Sequence, residues 1–533
     1  MSGQERLEYR KIMQSTLRAN FVSWAHTGGL GAHRRFCQAM VNEEIADLVR
    51  IYGNKNGSLD FQMKINTCLS YDMMLAMQVN IKAFLSRASG RESPYLLPWR
   101  LARKLGCGIF SATISHIWFN LWLIAASLVK SAKVLFHVVA NMVERRDKIG
   151  SSPDAYLFSA MPGNFKPADI SEPCGYVLET WLEKHLLGEN CSIAHSNKHL
   201  KDIILPQHSY LNNFLPPLNF WKSCLVVATF PFLFFKSFLS LLLGQWQKLF
   251  LLHELLARQV FAFAKNASLQ SVYLYPFHGT QARPLWADIA ESKGSVVIQL
   301  NYSSCMLPEI DEGPMDHLHY DVTQWSNIIP FNTRVAKFLD TKVPAGTSIL
   351  RAPSVSFTDR PKKILPVFQK PVIALFDLAV LDPSKFVGIN PVNDYLYADS
   401  EDGLSFHRNL FSDVLSVARR FGFVVAYKQK RKDPRLDHGY AKLCEEFCEN
   451  DDVFFVDPEI SAHRLIDNSR FAVVQPFSSV GHYESKTADI CFYDPLKVLR
   501  DRHPAALEGH LCIGIEDLNS WFEVMYRERE RAY

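Results

Sequence analysis

The chain has 533 residues, enough for two or three domains of ordinary size. Hydrophobic residues make up 48% and charged residues 21%, a globular composition that excludes a disordered chain. The formal net charge of +4 is small for this length and argues against a dedicated nucleic-acid binder; no zinc-finger or RNA-binding signature appears. The 11 cysteines run from Cys37 to Cys512 without paired or metal-like spacing, usage that suits a reducing cytoplasm. Cys444 and Cys448, the closest pair, lie one helical turn apart and read as a helix face rather than a zinc site.

Taken in chain order, residues 1–150 show no period-two alternation and read as a helical N-terminal region. The opening "MSGQERLEYRKIMQ" is polar and charged, unlike a secretory signal peptide. Residues 105–129, "LGCGIFSATISHIWFNLWLIAASLV", hold no charged side chain and are flanked by Arg103, Lys104, Lys130 and Lys133. That length suffices to span a bilayer, for which about 20 apolar residues are needed. Yet His116 and Asn120 lie inside it, and cations at both ends give no orientation signal. Residues 224–243 are equally apolar but are interrupted by Pro231 and Lys236. A buried helix, or a helix lying in the membrane surface with its lysines reaching the headgroups, is the competing reading for both.

From 154 the texture changes. "DAYLFSA" reads as a short buried strand, 174–187 as a helix and "CSIAHSN" (191–197) as a second strand; a long aromatic helical insertion follows within 207–266. Residues 271–304 then read strand, loop, helix, strand, which is a β-α-β unit and implies a parallel sheet. This first domain is placed at 151–345, and the Pro-, Thr-, Ser- and Lys-rich segment 346–370 reads as a linker.

The pattern restarts at 371 and runs to 533. "PVIALFDLAVL", "FGFVVAYKQKRK", "DVFFVDP", "FAVVQP" and "ADICFYDP" read as strands separated by helices at 403–421, 438–449 and "SAHRLIDNS". Strands alternating with helices in this way make a doubly wound domain. The fold class expected is therefore α/β, with two Rossmann-like domains facing a cleft.

In a parallel sheet the residues just after each strand converge on one edge. Here these are Asp377 after the first strand, Lys428, Lys430 and Arg431 after the second, and Gln475, Ser478 and Ser479 after the fourth. Cations neutralise phosphate, while hydroxyls and the N–H groups of a following helix donate to its oxygens. Glu484, a little further on, could take a ribose or sugar hydroxyl. A charge run such as "KQKRK" is more often a solvated turn; its place at a strand end beside a double serine favours the phosphate reading. Neither G-x-G-x-x-G, nor Walker A, nor G-x-S-x-G occurs. "PEIDEGPMDHLHYD" matches no common metal motif and reads as a polar loop, so no metal site is expected.

"VVQPFSSVGHYESKTADICFYDP" resembles the region that names the bacterial polysaccharide-biosynthesis PFTS-motif proteins, with Pro-Phe-Ser-Ser standing for Pro-Phe-Thr-Ser. "RPLWADIAESKGSVVIQLNYSS" is similar to that family's tryptophan-containing helix leading to a strand that ends in Tyr-Ser, here Tyr302 and Ser303, and "CSIAHSN" before a helical insertion also fits. The resemblance covers roughly 150–500 and lies in the order and spacing of these stretches. More broadly, the second domain looks like the donor-binding half of GT-B glycosyltransferases. In the sialyl- and Kdo-transferases among them, a His-Pro pair and a Ser-Ser or Ser-Thr pair bind the CMP phosphate. Ser478 and Ser479 match the second pair, whereas "YKQKRK" stands where His-Pro would, which leaves the donor nucleotide open. "DEG", Asp311 to Gly313, formally matches those enzymes' general-base motif, making Asp311 and Glu312 the catalytic candidates.

The resemblance implies a glycosyltransferase moving sugar from a nucleotide-sugar donor to a polysaccharide or lipid-linked acceptor, without a metal or a cofactor. It would work in the cytoplasm, in peripheral contact with the inner membrane and with no nucleic-acid partner. A GT-B-fold nucleotide-sugar 2-epimerase and a non-catalytic assembly factor are the alternatives.

Overall fold

The computed structural model describes residues 48, 59, 61–67, 98–104, 108–144, 153–158, 165, 178–198, 208–211, 213–277, 283–301, 324–331, 333–352, 364–380, 404–429, 436–476, 478–483, 485, 487–497, 499 and 510–532. Two all-parallel sheets organise these residues. The first holds β1 (Ala155–Leu157), β2 (Ile193–His195), β3 (Ser209–Tyr210), β4 (Val272–Phe277), β5 (Val296–Asn301), β6 (Asn327–Ile329) and β7 (Ser348–Ile349), in the order β3-β2-β1-β4-β5-β6-β7. The second holds β8 (Val372–Phe376), β9 (Val424–Lys428), β10 (Val453–Phe455), β11 (Phe471–Val474), β12 (Asp489–Asp494) and β13 (His510–Ile513), in the order β10-β9-β8-β11-β12-β13.

Both orders start in the middle, run to one edge, return to the centre and run to the other. That is the doubly wound arrangement, with its reversal between β1 and β4 in one sheet and between β8 and β11 in the other. Every residue of β8, β9 and β11 is buried, which explains why "VIALF", "VVAYK" and "FAVV" lack the alternation of a half-exposed strand. The register Phe376↔Val474 and Phe376↔Lys428 brings the carboxyl ends of β8, β9 and β11 level.

The covering helices begin and end where local chemistry dictates. Asp437 caps α6 (His438–Cys448) by accepting from Tyr440 N–H, and Ser461 caps α7 (Ala462–Asp467) by accepting from Arg464 N–H. Gly422, at φ 73°, closes the preceding α5 (Ser405–Phe421) in the left-handed conformation. α8 (Ile515–Ala532) completes the second unit.

Ahead of the sheets lies α1 (Ile109–Glu144), the insertion between β3 and β4 carries α2 (Phe220–Leu242) and α3 (Leu252–Phe263), and α4 (Ala287–Ser292) connects β4 to β5. Pro231 lies inside α2, which continues through it. α3 joins the first sheet at its far end: the Trp286 ring stacks on Phe261 at 4.4 Å and packs edge-on to Tyr273 at 5.1 Å. Lys293 Nζ donates to the carbonyls of Phe261, Ala262 and Ala264, covering the helix's orphan acceptors with a cation.

Four strands were not legible as such, among them β6, whose Asn327–Ile329 lies in a stretch to which the sequence assigned no element. β13 follows "ADICFYDP", which is therefore not the last strand, and β7 places Ser348 and Ile349 of the expected linker in the first sheet. β3 has just two residues and lies at the start of the segment read as a helical insertion.

Candidate functional site

The carboxyl edge of the second sheet is centred on Gln475, the first residue past β11. Its N–H donates to Phe376 O (2.8 Å), extending the ladder by one residue, and its Oε1 accepts from Leu378 N–H (2.6 Å). The side chain is fully buried. Gln475 thus ties the β8 and β11 loops together at the point where strand order reverses, which is where open α/β sheets bind ligands.

Beyond Gln475 the chain makes a compact turn. Ser478 N–H donates to Gln475 O (3.3 Å), and Ser478 O accepts from Gly481 N–H (3.1 Å). Ser479–His482 forms a single 3-10 turn, and the Ser478 hydroxyl caps none of its N–H groups. The helix expected after Ser479, with a dipole to hold phosphate, is therefore a turn of four residues. Whatever the two serines contribute comes from hydroxyls and turn amides.

His482, buried at the end of this turn, lies edge-on to Phe492 at 5.1 Å and to Phe331 at 6.4 Å. Phe331 stands two residues past β6 of the first sheet, so carboxyl-edge segments of the two sheets meet here.

The loop then turns back onto α7. The Tyr483 ring stacks on His463 at 4.0 Å, and its hydroxyl donates to Asp467 Oδ2 (2.7 Å). Ser485 Oγ donates to Asp467 Oδ1 (2.8 Å), and Thr487 Oγ1 to Asp467 O (3.0 Å). Asp467 anchors the whole return path. Burial holds the His463 imidazole down at about 4, against a smaller upward pull from Asp467, so the stacked ring is neutral at physiological pH.

Asp377 and Lys428 occupy the same edge but are committed to other partners. Asp377 Oδ2 accepts from Tyr440 OH (2.7 Å) and Tyr427 OH (3.0 Å), and Tyr427 OH lies 3.3 Å from Cys444 Sγ. Burial raises this carboxyl to about 6 and the two phenol donors pull it back only in part. His407 completes the nest: its ring packs on Tyr440 at 5.1 Å, and Nε2 lies 3.1 Å from Leu378 O, which fixes the proton on Nε2. Burial lowers this imidazole to about 4. Lys428 is buried as well, its Nζ donating to Gln429 O (3.3 Å) and Pro458 O (3.2 Å). Desolvation lowers it to about 8, opposed by nearby Asp457. Two of its three donors are used.

The structure thus brings Asp377, Lys428, Gln475, Ser478 and Ser479 onto one edge. Lys430, Arg431 and Glu484, and the catalytic candidates Asp311 and Glu312, lie outside the described residues. Sequence reasoning passed over Tyr427, Tyr440, His407, His463 and Asp467. The i,i+4 pair Tyr440 and Cys444 on one apolar helix face was the available signal for the first cluster. Nothing local marked Asp467 as an anchor.

Two parallel, doubly wound α/β sheets with carboxyl-edge segments in contact define the structural class. The family model for polysaccharide biosynthesis PFTS motif proteins matches residues 233–522, and the chain belongs to that family. Pro-Phe-Ser-Ser at 476–479 is the motif as it stands here. No curated protein matches the chain. Among solved structures, it is similar to one described as a UDP-N-acetylglucosamine 2-epimerase from Listeria monocytogenes, at 8% identity and TM-score 0.36, covering 71% of this chain and 89% of that one. A UDP-GlcNAc 2-epimerase from Methanocaldococcus jannaschii, in complex with UDP-GlcNAc and UDP, matches at 12% identity and TM-score 0.31, covering 70% and 92%. A glycosyltransferase from Rickettsia africae matches at 10% identity and TM-score 0.34, covering 70% and 89%.

Proposed function

We propose that the chain is a glycosyltransferase of surface-polysaccharide synthesis. It binds a nucleotide-sugar at the carboxyl edge of the second sheet and passes the sugar to a polysaccharide or lipid-linked acceptor held against the first. The observation that carries this reading is the meeting of the two carboxyl-edge segments at Phe331 and His482, in a chain of a polysaccharide-biosynthesis family. A donor on one edge would then face an acceptor on the other.

In this reading a carboxylate, Asp311 or Glu312, takes the proton from the acceptor hydroxyl. The hydroxyl oxygen attacks the anomeric carbon, and the bond from that carbon to the phosphate oxygen breaks. The electron pair leaves with the nucleotide. Ser478 and Ser479 hydroxyls, with the cations Lys428, Lys430 and Arg431, stabilise the departing charge, a role that preorganised donors fill without a metal ion. Asp377 is not asked to touch the donor; its buried bonds to Tyr427 and Tyr440 position the β8 and β9 ends.

Calorimetric titration of the full chain with UDP-, CMP- and GDP-sugars tests the donor site, followed by product analysis in the presence of acceptor. Saturable binding weakened by Ser478→Ala with Ser479→Ala supports it. Conversion of the donor to its C2 epimer without acceptor would assign the same site to an epimerase. Binding of no nucleotide would leave a non-catalytic assembly role.

A further inference from the structure

Helices α1 and α2 are built inside out. α1 buries Ser115, Ser127 and Ser131, the last at 0% exposure, on the face that also buries Phe119 and Leu123, while Phe110 and Phe136 on the other side stand 78% and 68% exposed. α2 repeats this: Ser223, Ser237 and Ser240 are buried, and Trp221 and Phe232 are 79% and 67% exposed. A helix on the surface of a water-soluble domain does the reverse. Small residues between helices with large apolar residues outside is the pattern that lipid selects.

The two helices are antiparallel and packed together. Phe119 and Leu123 of α1 cluster with Leu241 of α2 and Trp246 just beyond it, and Asn141 near the other end of α1 donates to Leu215 O ahead of α2. Both are long and apolar enough to cross a membrane. The topology of the sheet forbids it. β1 precedes α2 and β4 follows it, yet they are hydrogen-bonded neighbours in register Ala155↔Val272. One crossing by α2 would put these strands on opposite sides of the bilayer. α3, with Glu254 and Arg258, packs its apolar face into the first domain and offers no return crossing. α1 is bracketed in the same way. Before it, Gln62 and Asn66 donate to Arg283 O beside the first sheet, and after it the chain enters β1.

The outward face favours lipid over protein. It extends from Phe110 to Val139 on α1, about 44 Å at the helical rise, too long for a single docked peptide anchor. Its charges are the cations Lys133 and Lys236, the Lys130 ammonium being turned inward over the Phe250 ring at 5.3 Å, and no acid occurs in either helix before Glu144. Trp118 and Trp221 are placed outward, as residues of a membrane interface are.

We propose that α1 and α2 form a monotopic docking platform, seated in one leaflet of an anionic phospholipid bilayer and crossing it nowhere. Both halves of the enzyme then stay on one side, with the lysines at the headgroups. This goes beyond the transferase reading and does not rest on it, because nucleotide binding is measured separately.

The test mixes the full chain with preformed vesicles of phosphatidylglycerol and phosphatidylethanolamine, floats them, and repeats the experiment with a membrane-impermeant maleimide sealed in the lumen. The protein is expected to float. The variants Phe232→Glu with Phe235→Glu, and separately Ile117→Glu with Leu121→Glu, should float about tenfold less while melting as the parent does and keeping its nucleotide affinity. Leu243→Cys, at the far end of α2, should gain no luminal label over the parent. Failure to float, flotation untouched by either pair, or luminal labelling of Leu243→Cys overturns the proposal; the first would mean that another part of the chain covers the face, the last that the helices span.

Discussion

The ring of Phe492 occupies the space that a Cβ at Gly481 would need: Cε1 would lie 2.2 Å and Cζ 2.4 Å from it. The turn carrying Ser478 and Ser479 therefore rests directly on β12, and glycine is the one residue that permits it. Gly481→Ala forces either the ring or the turn to move, at a cost of about 1–3 kcal/mol. The expected result is a lower melting temperature together with weakened nucleotide binding; an unchanged variant would mean that the turn is not held by Phe492.

Tyr440 gives Asp377 its shorter hydrogen bond, at 2.7 Å. Tyr440→Phe leaves the buried carboxylate with Tyr427 as its remaining phenol donor, and should cost about 1–3 kcal/mol at neutral pH. The loss should shrink on acidification below about 6, where Asp377 takes up its proton. Chemical denaturation at two pH values checks both parts.

Stability should fall as pH drops from 6.5 toward 4. His407 and His463 are each held to about 4 by burial, so in that window the unfolded chain binds protons that the folded chain refuses. Asp377 acts in the opposite sense. Its folded carboxyl, raised to about 6 from 3.8, takes a proton before the unfolded one does, and acidification favours the folded state. Each group contributes at most about 1.4 kcal/mol per pH unit while it titrates in one state alone. His407→Gln should flatten the acid loss and Asp377→Asn should steepen it, read as melting temperature against pH. Parallel profiles for all three proteins would show that these groups do not set the dependence.

Asp467 anchors the loop after the motif through Tyr483, Ser485 and Thr487. The bonds accepted by its carboxylate lie at the surface, between half-buried partners, so Asp467→Ala should lower global stability by only about 1 kcal/mol. Its main effect is local: faster proteolytic cutting near 483–487 and poorer nucleotide binding. A variant that is cut at the parent's rate would refute the anchoring role.

Much of the second domain was legible because buried parallel strands are short continuous apolar runs, and "VIALF", "VVAYK" and "FAVV" stand out between polar turns. β3 and β7, with two residues each, carry no period to read and owe their existence to neighbouring strands. At the site, position along the sheet edge could be read from strand ends, but commitment could not. Lys428 reads from the sequence as a phosphate ligand at a strand end and is buried against two carbonyls; Asp377 reads as a ligand and is held by two tyrosines, both distant in sequence. The inversion of α1 and α2 was hidden for a similar reason. The sequence displays their apolarity, but which residues face outward depends on where each helix packs.

The most direct test of the central claim is calorimetric titration of the full chain with nucleotide-sugars, parent against Ser478→Ala with Ser479→Ala. The account predicts saturable one-to-one binding of one nucleotide class, and an affinity at least about tenfold lower in the double variant, as the loss of charge-assisted hydrogen bonds implies. Equal affinities in parent and variant would contradict a phosphate site at the Pro-Phe-Ser-Ser turn.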